Sequence, residues 1–313
     1  MKVKIIIFVL LGFVLFSCSK KQNTDGDNIR DKIVNKSSGD KNEVVLVIED
    51  KLWEGKHGEI IIEIFEKEIY GLDPSEKLFN LIQINPNEFS KLYQKNKNII
   101  YVSSDVKDSN IKNKWVKNQI VMYLNSNSEE MSFRESCRGA ISFLNQNELE
   151  NIKNDYKINH NKKARVYVEE QFGFELFLPL EYRWVQEKEG LFVADVHLTS
   201  KKRDILKYII IHEFQSINNN LKDEIISRTN DVLKEHIEGK QKGSYVQINN
   251  EIPLIEDNGI YRGMWRLKNG FMAGSLIIKP RYIEDKVIVS IGIVFDPSES
   301  NRYYVRTFEA ILQ

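Results

Sequence analysis

The chain has 313 residues, of which 42% are hydrophobic and 29% charged, a composition that can bury real cores and suits two domains of ordinary size. Its 45 basic and 45 acidic side chains cancel, so it lacks the basic excess with which nucleic-acid-binding proteins neutralise phosphates. Two cysteines are too few for a disulfide-stapled scaffold or a cysteine-rich zinc site.

The N-terminus has the pattern of a signal peptide over residues 1–17. Lys2 and Lys4 accompany an apolar stretch at 5–16, which fits a signal-peptide core and is too short to span a bilayer as a helix. The Leu-Phe-Ser-Cys sequence that ends at Cys18 resembles the lipobox of bacterial lipoproteins, with Phe16 in place of the usual small residue. This resemblance implies acylation of Cys18 and a membrane anchor of several acyl chains. The alternative is an ordinary secretory signal with an incidental cysteine.

Residues 18–42 are predicted to form a flexible tether, because they are polar and show no apolar period. Lys20 and Lys21 occupy the places where acidic residues would favour export to the cell surface. We therefore expect a lipid-anchored protein of the bacterial cell envelope, on the outer membrane and facing the periplasm.

The segment 43–172 is predicted to be an α/β domain. We expect strands at 44–48, 79–84, 99–103 and 115–124, and helices at 58–69, from 85 and from 127. Asn85 and Asn127 are the expected N-caps of the last two helices, each with a Glu three residues later. Cys137 lies on an apolar helical stripe, which indicates a buried rather than a reactive thiol. Gly173 is the expected C-cap and domain boundary.

The segment 173–313 is predicted to be an antiparallel sheet with two helices, which gives an α+β protein overall. We expect strands at 174–178, 191–198, 205–214, 245–248, 260–267, 271–279 and 286–295, and helices at 221–237 and 301–313. Asn269 and Gly270 are the preferred pair for a type I′ turn, which sets Trp265 opposite Gly274.

Several segments resemble the DUF4837 family of envelope lipoproteins. They are Glu-Val-Val-Leu-Val-Ile at 43–48, Leu-Trp-Glu-Gly at 52–55, Gly-Leu at 71–72, Leu-Phe at 78–79, 84–89, Gly-Met-Trp-Arg-Leu at 263–267 and Gly-Phe-Met-Ala-Gly at 270–274. Ala273 stands where a second glycine is expected. The resemblance extends from about residue 43 to the C-terminus and implies a two-part lipoprotein of uncharacterised function, with no catalytic residues to transfer. The layout of the second half is also similar to PsbP/Mog1-type folds.

One group of polar residues could carry chemistry. If Leu198 faces Ile205 across the turn, Asp195 faces Tyr208, and His197 and His212 lie on the same sheet face. An acid, a phenol and imidazoles could transfer protons or hold a divalent metal. The same face also carries aliphatic residues, so the core or a docking surface is the alternative.

Three further residues are candidate ligand contacts. Trp53 follows the first strand, where binding loops collect, and could equally be a lid on the core. Arg262 and Arg266, expected to be exposed on the face opposite Trp265, could bind an anion or a partner's carboxylates.

Two function classes follow from these patterns. The first is a non-enzymatic envelope protein, without a cofactor, that binds a ligand or an envelope protein partner. The second is an envelope hydrolase or metal-dependent enzyme that uses Asp195, His197 and His212.

Overall fold

The computed structural model describes residues 37–200, 204–216 and 220–312. Cys18 and the predicted signal peptide lie outside these residues. The α+β class predicted from the sequence is confirmed, because helices pack on one sheet of five strands and one of eight. The helices are α1 (Asp50–Trp53), α2 (Lys56–Phe65), α3 (Glu130–Ile158), α4 (Lys162–Phe172), α5 (Leu221–His236) and α6 (Arg302–Ile311). No helix in the described ranges combines the length and apolar character needed to cross a membrane.

The five-stranded sheet has the strand order β2-β1-β3-β5-β4. Its strands are β1 (Glu43–Val47), β2 (Asn80–Ile84), β3 (Asn98–Ser103), β4 (Ser109–Lys112) and β5 (Ile120–Asn125). All neighbours are parallel except β4, which runs antiparallel to β5 at the edge. The apolar run of β1 is buried on both faces, as a central parallel strand requires. Helices α2 and α3 supply one face of its core.

Phe89, Trp115 and neighbouring aromatic residues, rather than a helix, cover the other face of this sheet. The helix predicted from Asn85 is therefore wrong. The Asn85 side chain caps only a short 3-10 turn, Pro86–Glu88, because Phe89 turns inward to pack 5.1 Å from the Tyr101 ring. The expected cap at Asn127 is also wrong, since α3 begins after Glu129 without a side-chain cap. The strand expected from residue 115 begins only at 120.

The eight-stranded sheet is antiparallel, with the order β10-β11-β12-β13-β8-β7-β6 and β9 paired with β11. Its strands are β6 (Arg183–Lys188), β7 (Leu191–Thr199), β8 (Asp204–Gln215), β9 (Tyr245–Ile248), β10 (Ile255–Asp257), β11 (Ile260–Lys268), β12 (Ala273–Ile283) and β13 (Lys286–Phe295). Helices α4 and α6 cover one face and α5 the other. The segment 174–178, expected to be a strand, forms no strand although residues 176–178 are buried, while β6 and β10 were not predicted.

The hairpin of β11 and β12 has the predicted register, with Trp265 opposite Gly274. The Trp265 indole Nε1 donates a hydrogen bond of 3.0 Å to the carbonyl of Val294, directly over the glycine. A Cβ at position 274 would lie 2.0 Å from that oxygen, so only glycine fits. Of the two turn residues, only Asn269 takes a positive φ, +56°, so the predicted type I′ turn is not formed.

Candidate functional site

The predicted pairing of β7 with β8 is confirmed, with Asp195 opposite Tyr208 and Leu191 opposite His212. His197 Nε2 lies 2.7 Å from the Tyr208 hydroxyl and 3.4 Å from an Asp195 oxygen. Both oxygens of Asp195 also accept hydrogen bonds of 3.0 Å from Arg183 on β6, a strand the sequence did not reveal. Burial, assisted by the negative charge of Asp195, raises the pKa of Tyr208 to about 12, so its phenol stays protonated at neutral pH.

His212 does not join this group. It lies four residues further along β8, about 13 Å at 3.3 Å per residue, buried with its ring stacked on Phe214. Burial and, secondarily, the charge of Arg228 lower its pKa to about 4, which keeps the imidazole neutral. Across the residues that the structure describes, no three His, Cys, Asp or Glu side chains are grouped so as to hold a metal ion.

The two candidate arginines differ in exposure. The expectation that Arg262 is exposed is wrong, because α6 packs over that face and leaves 15% of the side chain accessible. Its Nε donates a hydrogen bond of 2.7 Å to Glu309 of α6. Arg266 is 34% exposed and pairs with Glu251 at 2.6 Å. Trp53 is half-buried against the core of the five-stranded sheet, as a lid on that core would be.

A cleft of about 750 Å³, which we call the interdomain cleft, lies where the loop between α2 and β2 and helix α3 meet β10, β11 and α6. Its apolar wall is formed by Ile69, Leu72, Leu78, Ile252, Ile255 and Met264. Its polar wall includes Lys67, Glu68, Asn145, Asp257, Arg262, Arg306 and Glu309. This volume and mainly apolar surface are typical of sites for small molecules.

The loop between α2 and β2 forms one side of the cleft by reaching across to β11. Gly71 takes a φ of +84° and approaches the backbone of Gly263 so closely that a Cβ would lie 2.7 Å from its carbonyl oxygen. The Tyr70 hydroxyl donates a hydrogen bond of 2.6 Å to the carbonyl of Pro253. Two of the segments singled out in the sequence, 71–72 and 263–267, thus meet at the cleft.

A buried network of paired charges forms the base of the cleft and joins α3 to α6. Glu148 accepts bonds of 2.7 and 2.8 Å from Arg302 and one of 3.2 Å from Arg306. Arg306 in turn pairs with Glu309, which holds Arg262. Arg262 also pairs with Asp257 at 3.3 Å, so three arginines face three carboxylates. Because these six charges neutralise one another, the base of the cleft does not favour a strongly charged ligand.

Sequence reasoning missed this cleft because its walls come from segments about 180 positions apart, and no local motif marks them. The sequence feature that could have indicated the cleft is the pair of glycines Gly71 and Gly263, which lie in segments already noted. Two backbones can approach this closely only where neither residue has a side chain.

Comparison with known proteins gives families but no activity. Residues 37–157 match DUF8532, a domain of unknown function, and residues 160–313 match DUF4837, also a domain of unknown function. The N-terminal segments that resemble DUF4837 in the sequence therefore fall within the other family, which corrects the extent expected above. No curated protein matches the chain.

Among solved structures, the chain is similar to CalU16 from Micromonospora echinospora. The sequence identity is 15%, over 38% of this chain and 78% of that chain, and the TM-score of 0.19 is too low to define a shared fold. The family matches are the more specific result: residues 160–313 belong to the DUF4837 family.

Proposed function

We propose that the protein is a non-enzymatic binding protein of the cell envelope that holds a small, largely apolar molecule in the interdomain cleft. The observation that carries this proposal is the cleft itself, an open concavity of about 750 Å³ whose apolar wall comes from both halves of the chain. The neutral charge network at its base favours an uncharged or weakly charged ligand. An enzymatic role finds less support, because Arg183 occupies both oxygens of Asp195 and His212 lies apart.

A lipid anchor at Cys18 would keep this cleft close to a membrane, where apolar molecules are concentrated. The proposal for the anchor rests on the leader sequence and the lipobox-like residues before Cys18. Growth with labelled palmitate tests it. We expect the label to enter the protein and to be lost in Cys18→Ser, and unchanged membrane association of that variant would contradict the anchor.

The cleft is tested with a matched pair of substitutions on edge strands. Ile255 of β10 lines the cleft and is 46% exposed, whereas Ile111 of β4 is 41% exposed and lies outside it. Using the uncharged apolar fluorophore N-phenyl-1-naphthylamine, we expect Ile255→Glu to weaken binding about tenfold or more, because the new carboxylate would lose water against the bound probe. Ile111→Glu should leave binding unchanged. Equal affinities of the two variants would refute the cleft as the binding site.

A further inference from the structure

The tip of the hairpin between β11 and β12 presents an aromatic ring to solvent. Phe271 has a relative exposure of 102%, above that of every other large hydrophobic side chain in the described ranges. The tip is held in place by a 2.7 Å bond from the Leu267 amide to the Met272 carbonyl and a 3.2 Å bond from the Asn269 side chain to the Gly243 carbonyl. A single exposed ring is common on protein surfaces, so the charges near Phe271 decide what this one indicates.

Four lysines lie at the hairpin tip and around the concavity beside it. Lys268 ends β11, and Lys234, Lys240 and Lys242 line a concavity of about 540 Å³ in the adjoining segment, which the Asn269–Gly243 bond joins to the tip. All four are exposed, and among the residues the structure describes none has a carboxylate partner. Glu238 is the acidic residue in the lining of this concavity. The surface formed by Phe271 and these lysines, called the basic tip here, is therefore positively charged.

We propose that the basic tip binds a membrane surface containing anionic lipid headgroups. Phe271 would enter the boundary between headgroups and acyl chains, where an amphipathic surface with apolar and basic groups is stable. Each lysine near an anionic surface strengthens the affinity about fivefold, and burial of the phenyl ring about tenfold or more. This proposal does not rest on the cleft. It does place the cleft relative to the membrane, because β11 joins the two sites. The strand runs from Arg262 in the cleft to Lys268 in the basic tip, a distance of about 20 Å at 3.3 Å per residue.

The contact is tested with an environment-sensitive fluorophore attached through Phe271→Cys in the full-length Cys18→Ser chain, with Cys137 buried and unlabelled. The matched control carries the label through Leu92→Cys, at a position 69% exposed on the other sheet's side. Both proteins contain the same apolar leader, so the leader contributes equally to both. At position 271 the apolar fluorophore takes the place of the Phe271 ring. With vesicles of phosphatidylglycerol and phosphatidylethanolamine, we expect a blue shift at position 271 that is absent at 92 and weak with phosphatidylcholine alone.

The contribution of the lysines to vesicle binding is tested in the protein labelled at position 271. Lys240→Gln, Lys242→Gln and Lys268→Gln together should weaken vesicle binding roughly a hundredfold. A control protein loses the same three charges at exposed lysines away from the tip, through Lys51→Gln, Lys91→Gln and Lys117→Gln. Its affinity for vesicles should change little. The proposal is overturned by equal shifts at positions 271 and 92, by no shift at 271, or by equal losses in the two lysine sets. A shift at 271 with soluble polyglutamate but not with vesicles would also overturn it, in favour of an acidic protein partner.

Discussion

Replacing Glu148 with glutamine removes the charge that holds α3 to α6. The side chain is 5% exposed and accepts three hydrogen bonds from Arg302 and Arg306, which are 6% and 3% exposed. Glutamine offers one acceptor oxygen, so a buried guanidinium loses its counter-charge and at least one hydrogen bond. Breaking a buried ion pair in this way costs about 3–5 kcal/mol of folding free energy.

Urea unfolding followed by circular dichroism and by tryptophan fluorescence measures this loss. The matched control is Glu150→Gln, two residues along the same helix, where the carboxylate is exposed and bonds only Gln146, so we expect a change of about 0.5 kcal/mol or less. A double-mutant cycle with Arg302→Met should give a coupling energy above about 1 kcal/mol. Equal stabilities of the Glu148 and Glu150 variants would refute the argument that this network joins the two sheets.

Three further outcomes are expected. The pKa of His212 is about 4 in the folded protein and about 6.5 in the unfolded chain, so protonation of this imidazole favours unfolding. The free energy of unfolding should therefore fall by about 3 kcal/mol as the pH drops from 6.5 to 4. In urea melts at several pH values, His212→Leu should remove this contribution to the pH dependence of stability. Gly274→Ala should lower the free energy of unfolding by more than about 2 kcal/mol, because the new Cβ would lie 2.0 Å from a backbone oxygen. The control Gly139→Ala, on α3 where the new Cβ meets no other atom, should raise it by up to about 1 kcal/mol; thermal melts measure both. Cys137, whose thiol pKa burial raises to about 12, should resist thiol reagents in the folded Cys18→Ser chain and react only in denaturant.

The strand pairings were predictable where strands that follow each other closely in the chain pair antiparallel. The pairing of Leu198 with Ile205 aligned Asp195 with Tyr208, and the Asn269–Gly270 pair after Lys268 aligned Trp265 with Gly274. In both cases the information is local, because a slip of one residue would move every side chain of the strand to the opposite face of the sheet. The left-handed C-cap at Gly173, with a φ of +75°, was predictable for the same local reason.

Local patterns failed where distant segments compete for the same residues. The cap at Asn85 is real, yet no α-helix follows, because the next side chain, Phe89, is required over the parallel sheet beside Tyr101. Arg183 could not be assigned to Asp195 without knowing that β6 adds to the edge of the sheet.

The sequence alone determined the α+β class, the central strands and the hairpin registers, since these depend on neighbours within a few turns of chain. The tertiary structure decided the interdomain cleft, whose walls at 67–78 and 252–264 meet only when Gly71 packs on Gly263. It also decided that Arg262 is a buried partner of Glu309 rather than a solvent-exposed cation. These features depend on how the loop at 67–78 and helix α3 pack against the second half of the chain, and no periodicity within either segment encodes that packing.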